Sequence, residues 1–160
     1  METYHQAKFA ALGISDSFLQ DNHSCSRKGT LRGLHYQVHR PQAKLCRVIE
    51  GQALDVAVDI RMGSSYFGKW TGVLLSAAKG NQVYIPAGFA HGFLALTERV
   101  QLLYKCSDFY DPADERGIAW NDPDLAIHWG ISDPLVSGKD ARNPTLAATP
   151  REVLPHVSEK

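Results

Sequence analysis

Two histidines occupy comparable places in glycine-bounded segments of the chain. Gly80 to His91 carries the spacing Gly-x5-Pro-x-Gly-x2-His, and Gly29 stands six residues ahead of His35 in the same way. The later segment places its histidine after a strand, a Pro/Gly turn and a second apolar run. Two such segments, separated by short alternating strands, describe a small β-barrel with polar residues aimed into its cavity. A metal shell on that scaffold needs a second histidine at position 37 and a carboxylate shortly after. Gln37 stands there instead, and no Asp or Glu follows before Glu50. The pattern therefore predicts histidines free to move protons, with no metal bound between them.

The elements that must position these groups show period two between residues 30 and 107. Leu54, Val56, Val58 and Ile60 alternate with Asp55, Ala57 and Asp59, which predicts a strand with one apolar face and one partly acidic face. Further strands are expected at 30–37, 43–50, 70–75, 82–86, 89–96 and 99–107, joined by turn-rich pieces such as Arg61-Met62-Gly63-Ser64. A short helix over 4–12 is closed by Gly13. The expected fold is all-β, a jelly-roll barrel with short flanking helices. It forms one domain over 1–160, with the Asp-, Pro- and Gly-rich stretch from 120 wrapping the barrel and 146–160 a loose tail.

Alternation assigns Leu31, Gly33, His35 and Gln37 to one strand face, and Lys44, Cys46 and Val48 to another. Phe89, His91, Phe93 and Ala95 share a third face, and Val100, Leu102, Tyr104 and Cys106 a fourth. If these faces line the interior, two histidines, a lysine and a tyrosine meet in one partly desolvated space suited to acid–base work. Each also fits an ordinary structural role: a hydrogen-bonded core histidine, a snorkelling lysine, an amphipathic core tyrosine. Strict alternation turns Arg32 away from His35, and a bulge at Gly33 would restore it. Asp55 and Asp59 share a face that is either part of the site or the solvated side of the strand.

Bulk properties narrow the possible functions. The 160 residues carry 17 basic and 17 acidic side chains, so no net field draws the chain to nucleic acid or an anionic membrane. Cys25, Cys46 and Cys106 are an odd, widely spaced set, unlike a disulfide framework or a zinc ribbon. The N-terminus has no signal-peptide pattern, and no apolar run approaches the roughly 18 residues of a membrane span. A cytoplasmic protein is expected.

Gly29-Thr-Leu-Arg-Gly-Leu-His-Tyr-Gln37 and Ile85-Pro-Ala-Gly-Phe-Ala-His-Gly-Phe93 resemble signatures of the dTDP-4-dehydrorhamnose 3,5-epimerases, metal-free members of the cupin superfamily. Gln20-Asp-Asn-His-Ser24, Asp55-Val-Ala-Val-Asp-Ile-Arg61, Leu103-Tyr-Lys105 and Trp120-Asn-Asp122 extend the likeness from about residue 2 to 145. The resemblance implies a nucleotide-sugar substrate, dTDP-4-keto-6-deoxyglucose, inverted at C3 and C5 through enolates in dTDP-rhamnose-type sugar biosynthesis. It implies His35 as the base, Asp140 as the carboxylate paired with it, Lys44 as the cation on the enolate oxygen and Tyr104 as the acid on the opposite face. A cation or donor in such a role is worth about 3 kcal/mol. Gln20, Asn22, Arg32, Asp55 and His91 fall on positions that bind sugar or diphosphate, and Tyr110 on a nucleotide-pocket position.

The family resembled begins further upstream, with a strand that pairs with the partner subunit. Met1-Glu2-Thr3-Tyr4 falls inside its Phe-Glu-Ser-Tyr-like segment, with Glu2 on a substrate-binding position. The resemblance thus implies a homodimer altered at this end. Three rival readings remain open: a 3-epimerase or ketoisomerase on a related nucleotide sugar, a metal-dependent oxygenase using His35, His39 and His91, and a non-catalytic sugar-binding cupin.

Overall fold

The computed structural model describes residues 1–157. One short helix, α1 (Gln6–Ala11), precedes ten strands. These are β1 (Gln20–Arg27), β2 (Thr30–Gln37), β3 (Lys44–Glu50), β4 (Gln52–Asp59), β5 (Trp70–Ser76), β6 (Gln82–Ile85), β7 (Phe89–Ala95), β8 (Arg99–Cys106), β9 (Glu115–Gly117) and β10 (Leu135–Val136). Two sheets form, one in the order β1-β8-β3-β6 and one in the order β10-β2-β7-β4-β5, with β9 joined to β2. Among the described residues no helix is long and apolar enough to cross a membrane.

The sheets face each other across a core of Cys46, Val48, Ile85, Val100 and Leu102 on one side and Ala53, Ala57, Leu75, Phe93 and Ala95 on the other. The interior faces expected for 43–50, 89–96 and 99–107 are the observed ones. The face expected for 30–37 is not. The register of β2 against β7 shifts between Arg32 and His35, so Gly33 and Leu34 together oppose the single residue Gly92. The backbones approach so closely that a Cβ on Gly33, whose φ is +121°, would stand 2.6 Å from the Gly92 Cα. The extra residue flips the side chains before it, so Leu31 points away from the sheet interface and Arg32 takes its place.

A second core covers the other face of the six-stranded sheet. Leu31, Leu34, Val56, Val58, Ile60 and Leu94 pack there against Ile118, Leu125, Trp129, Leu146 and Leu154. The apolar face of β4 therefore looks outward to the wrapping C-terminal chain, and its acidic face looks into the barrel. Asp55 and Asp59 are each 2% exposed, which rules out the solvated-strand reading.

Two expectations are corrected, and one strand is added to those expected. The helix is shorter than 4–12. Residues 20–27 form a full strand although their sequence lacks apolar alternation, because β8 supplies an eight-residue antiparallel partner. The tail is packed rather than loose through 157: Leu154 is buried, and Met62 exchanges backbone hydrogen bonds with Pro155 and Val157. The end of the tail, 158–160, lies outside the described residues.

Candidate active site

A cavity of about 320 Å³ opens between the sheets. The six-stranded sheet contributes Arg32, His35 and Gln37 from β2 and His91 and Phe93 from β7; the four-stranded sheet contributes Asn22 and Ser24 from β1, Lys44 from β3 and Tyr104 from β8. The Gly33 bulge brings Arg32 and His35 to the same wall.

His35 is a partly exposed imidazole whose Nε2 lies 2.6 Å from Asp140 Oδ1. Asp140 begins a 3-10 turn (Asp140–Arg142) behind β2, and its second oxygen accepts the Gly33 N–H at 3.3 Å. Burial works to raise the Asp140 pKa, but the His35 hydrogen bond and charge and the Gly33 N–H outweigh it and hold the carboxyl below its usual range. An ionised Asp140 keeps the ring proton on Nε2 and leaves Nδ1 with a lone pair on the cavity side. Glu115 Oε1 lies 3.9 Å from that Nδ1.

Across the cavity, burial pushes the Tyr104 phenol up to about 12, with Cys106 and Cys46 adding to the effect. The phenol is thus protonated at neutral pH and able to donate. Lys44 reaches the same wall from β3, where Cys46 pairs with Tyr104 in register. His91 sits buried with Nε2 at 2.9 and 3.0 Å from the two Asp55 oxygens. Asp55 thus stands behind His91 as Asp140 stands behind His35, and neither carboxylate lines the cavity itself. Two polar wall atoms, Ser24 Oγ and Tyr36 Oη, are buried without a partner among the described residues, which suits a polar ligand.

The remaining expected residues divide. Arg32 and Asn22 line the cavity, Arg32 donating to Ser26 Oγ at 3.2 Å. Tyr110 lines its mouth and donates to Glu115 Oε2 at 3.2 Å. Gln20 lies outside the lining; it donates to Asn22 Oδ1 at 3.0 Å and accepts the Tyr110 N–H at 2.9 Å, bracing two residues that do line it. Glu2 does not reach the site in this chain and pairs on the surface with Lys8 at 2.8 Å. His39, from the metal-dependent reading, is exposed and outside the cavity. Glu115 went unseen in the sequence. It sits on a three-residue strand with no alternation to mark it, yet it lines the cavity and pairs with Lys139.

Comparison with known proteins bears on this arrangement. The sequence profile of the dTDP-4-dehydrorhamnose 3,5-epimerase family matches residues 1–148. The chain belongs to that family. A family member named dTDP-4-dehydrorhamnose 3,5-epimerase, from Pseudomonas aeruginosa, is 52% identical over 148 residues, covering 91% of this chain and 82% of the relative. A 3,5-epimerase structure from Legionella pneumophila, solved in complex with dTDP-4-keto-L-rhamnose, superposes with a TM-score of 0.95 at 46% identity, covering 99% of this chain and 85% of that one. A family member from Streptomyces bikiniensis named a dTDP-4-dehydro-6-deoxyglucose 3-epimerase is 42% identical over 143 residues, covering 88% of this chain and 73% of the relative. The architecture is the jelly roll of these epimerases, and the enzyme class of the family is isomerase.

Proposed function

We propose that the protein inverts C3 and C5 of dTDP-4-keto-6-deoxyglucose, a step of dTDP-rhamnose-type sugar synthesis. One observation carries this reading: a carboxylate-backed imidazole and a protonated phenol line opposite walls of a single cavity. Inversion needs that disposition, because one group acting alone returns the proton to the face it left. The 4-keto group acidifies the C3 and C5 protons. His35 Nδ1 takes one, the C–H electron pair moves into the carbonyl, and the resulting enolate oxygen is met by the Lys44 ammonium. The Tyr104 phenol then delivers its proton to the carbon from the other side. Before the next cycle the imidazolium and phenolate return to their starting protonation states through solvent.

Arg32 is the natural fork for the diphosphate, and Asn22 and His91 are placed to hydrogen-bond the sugar. No step requires a metal or an organic cofactor. The reading includes a homodimer in the cytoplasm: β1 is an edge strand of the four-stranded sheet, and its eight-residue free edge is a template for a second copy. Light scattering of the purified protein tests that part.

The catalytic part is tested by supplying dTDP-4-keto-6-deoxyglucose together with a 4-keto reductase and identifying the reduced sugar by NMR. A rhamnose-configured product supports the reading. A product inverted at C3 alone, as the name of the Streptomyces bikiniensis relative implies for that enzyme, would replace it with mono-epimerisation. Recovery of reduced starting sugar would overturn it.

A further inference from the structure

Beneath the cavity, three side chains of different metal-ligating types converge inside the barrel. Cys46 comes from β3, Asp55 from β4 and His91 from β7, so both sheets contribute. One ligand atom from each lies within 4.8 Å of the others, and all three residues are buried. The His91 Nε2 and Asp55 oxygens, 2.9–3.0 Å apart, already point at one another.

Tetrahedral zinc, with bonds of about 2.0–2.1 Å to nitrogen and oxygen and about 2.3 Å to sulfur, separates its ligand atoms by roughly 3.3–3.6 Å. The nitrogen–oxygen pair would open by a few tenths of an ångström, and the thiol would close in by up to about 1.2 Å. His91 lines the cavity, so the cluster has an entry path. Burial keeps the Cys46 thiol protonated well above its ordinary range, while Lys44 nearby pulls the other way. A bound ion replaces that proton.

We propose that Cys46, Asp55 and His91 form a site for one thiophilic divalent cation of the Zn²⁺ and Cd²⁺ type, entered from the substrate cavity. This set shares only His91 with the His35, His39 and His91 arrangement considered from the sequence. Occupancy replaces the His91–Asp55 hydrogen bond and takes up the His91 Nε2 that would otherwise serve the cavity wall. On the catalytic reading above, bound metal therefore blocks turnover, whereas metal binding itself does not rest on that reading.

The test is a titration of the full-length protein with Cd²⁺, following the thiolate-to-metal charge-transfer absorption, with Zn²⁺ as competitor. The site predicts saturation at one ion per chain and release of the signal by Zn²⁺. Cys46→Ala weakens binding by about tenfold or more, while Cys25→Ser, which removes the exposed thiol, leaves it unchanged. Circular dichroism verifies that Cys46→Ala folds; if it does not, His91→Gln supplies the same loss of affinity. Full-strength absorption in Cys46→Ala, or its disappearance in Cys25→Ser, overturns the proposal. The readout is metal binding, so it stands or falls separately from the epimerase activity.

Discussion

Replacing Asp140 by Asn should damage the site more than replacing it by Ala, for a reason visible in the hydrogen bonding. Asp140 accepts from Gly33 N–H through one oxygen and holds His35 Nε2 with the other. In Asp140→Asn the Gly33 N–H requires the amide oxygen on its side, which turns the amide NH2 toward His35. That NH2 donates to Nε2, so the ring proton moves to Nδ1, the nitrogen that must be bare to act as base. Loss of the charged hydrogen bond alone is worth about 1.5–3 kcal/mol, roughly 10- to 100-fold. Forcing the wrong tautomer in a comparable dyad costs roughly 10⁴-fold. The expected kcat loss is about 10³–10⁴-fold for Asp140→Asn and about 10–100-fold for Asp140→Ala, with KM little changed in both. Turnover is followed by NMR at saturating substrate, and ¹⁵N shifts of His35 report the tautomer. An Asn variant as active as the Ala variant, or one that keeps its proton on Nε2, would refute this account of the dyad.

The other groups make separable predictions. Tyr104→Phe keeps His35 and Lys44, so it should still release protons from the substrate while net inversion falls by about 10²–10⁴-fold; equal loss of both would contradict the assigned roles. Because the folded-state Tyr104 pKa lies above its unfolded value of 10.0, its contribution is intact below pH 10 and is lost as pH rises toward about 12. Urea unfolding across that window should show the parent losing up to roughly 2–3 kcal/mol more than Tyr104→Phe. Gly33→Ala places a Cβ 2.6 Å from Gly92 Cα and 2.8 Å from the His91 carbonyl oxygen, so it should cost more than about 3 kcal/mol in unfolding measurements. Gly130→Ala, at φ +75° with open space around it, should cost only about 1–2 kcal/mol.

Much of this architecture is legible in the sequence because burial imposes period two. The strands carrying Lys44, His91 and Tyr104 follow that rule, and the glycine-spaced histidine segments mark the cavity wall. Legibility fails where something other than alternation decides. At Gly33 a backbone bulge inverts the face of every earlier residue in β2, and local hydrophobicity records no such change. In β4 both faces are buried, one against the opposite sheet and one against the C-terminal chain, so the sequence leaves the acidic face open between site and solvated side until Asp55 is seen beside His91. β1 is polar throughout and exists through its partner β8. Asp140 is separated from His35 by 105 residues, and only the likeness to a family brings the two together in the sequence. Glu115 has neither a periodic setting nor a matched motif, and nothing short of the fold locates it.

The central claim is that proton removal and return occur from opposite walls of one cavity. Proton NMR of dTDP-4-keto-6-deoxyglucose incubated with the protein in D2O, alongside a His35→Ala control, tests it most directly. The account predicts deuterium at both C3 and C5, with inverted configuration, in the parent and at neither carbon in the control. Exchange that persists without His35, or deuterium returned with the original configuration, would contradict it.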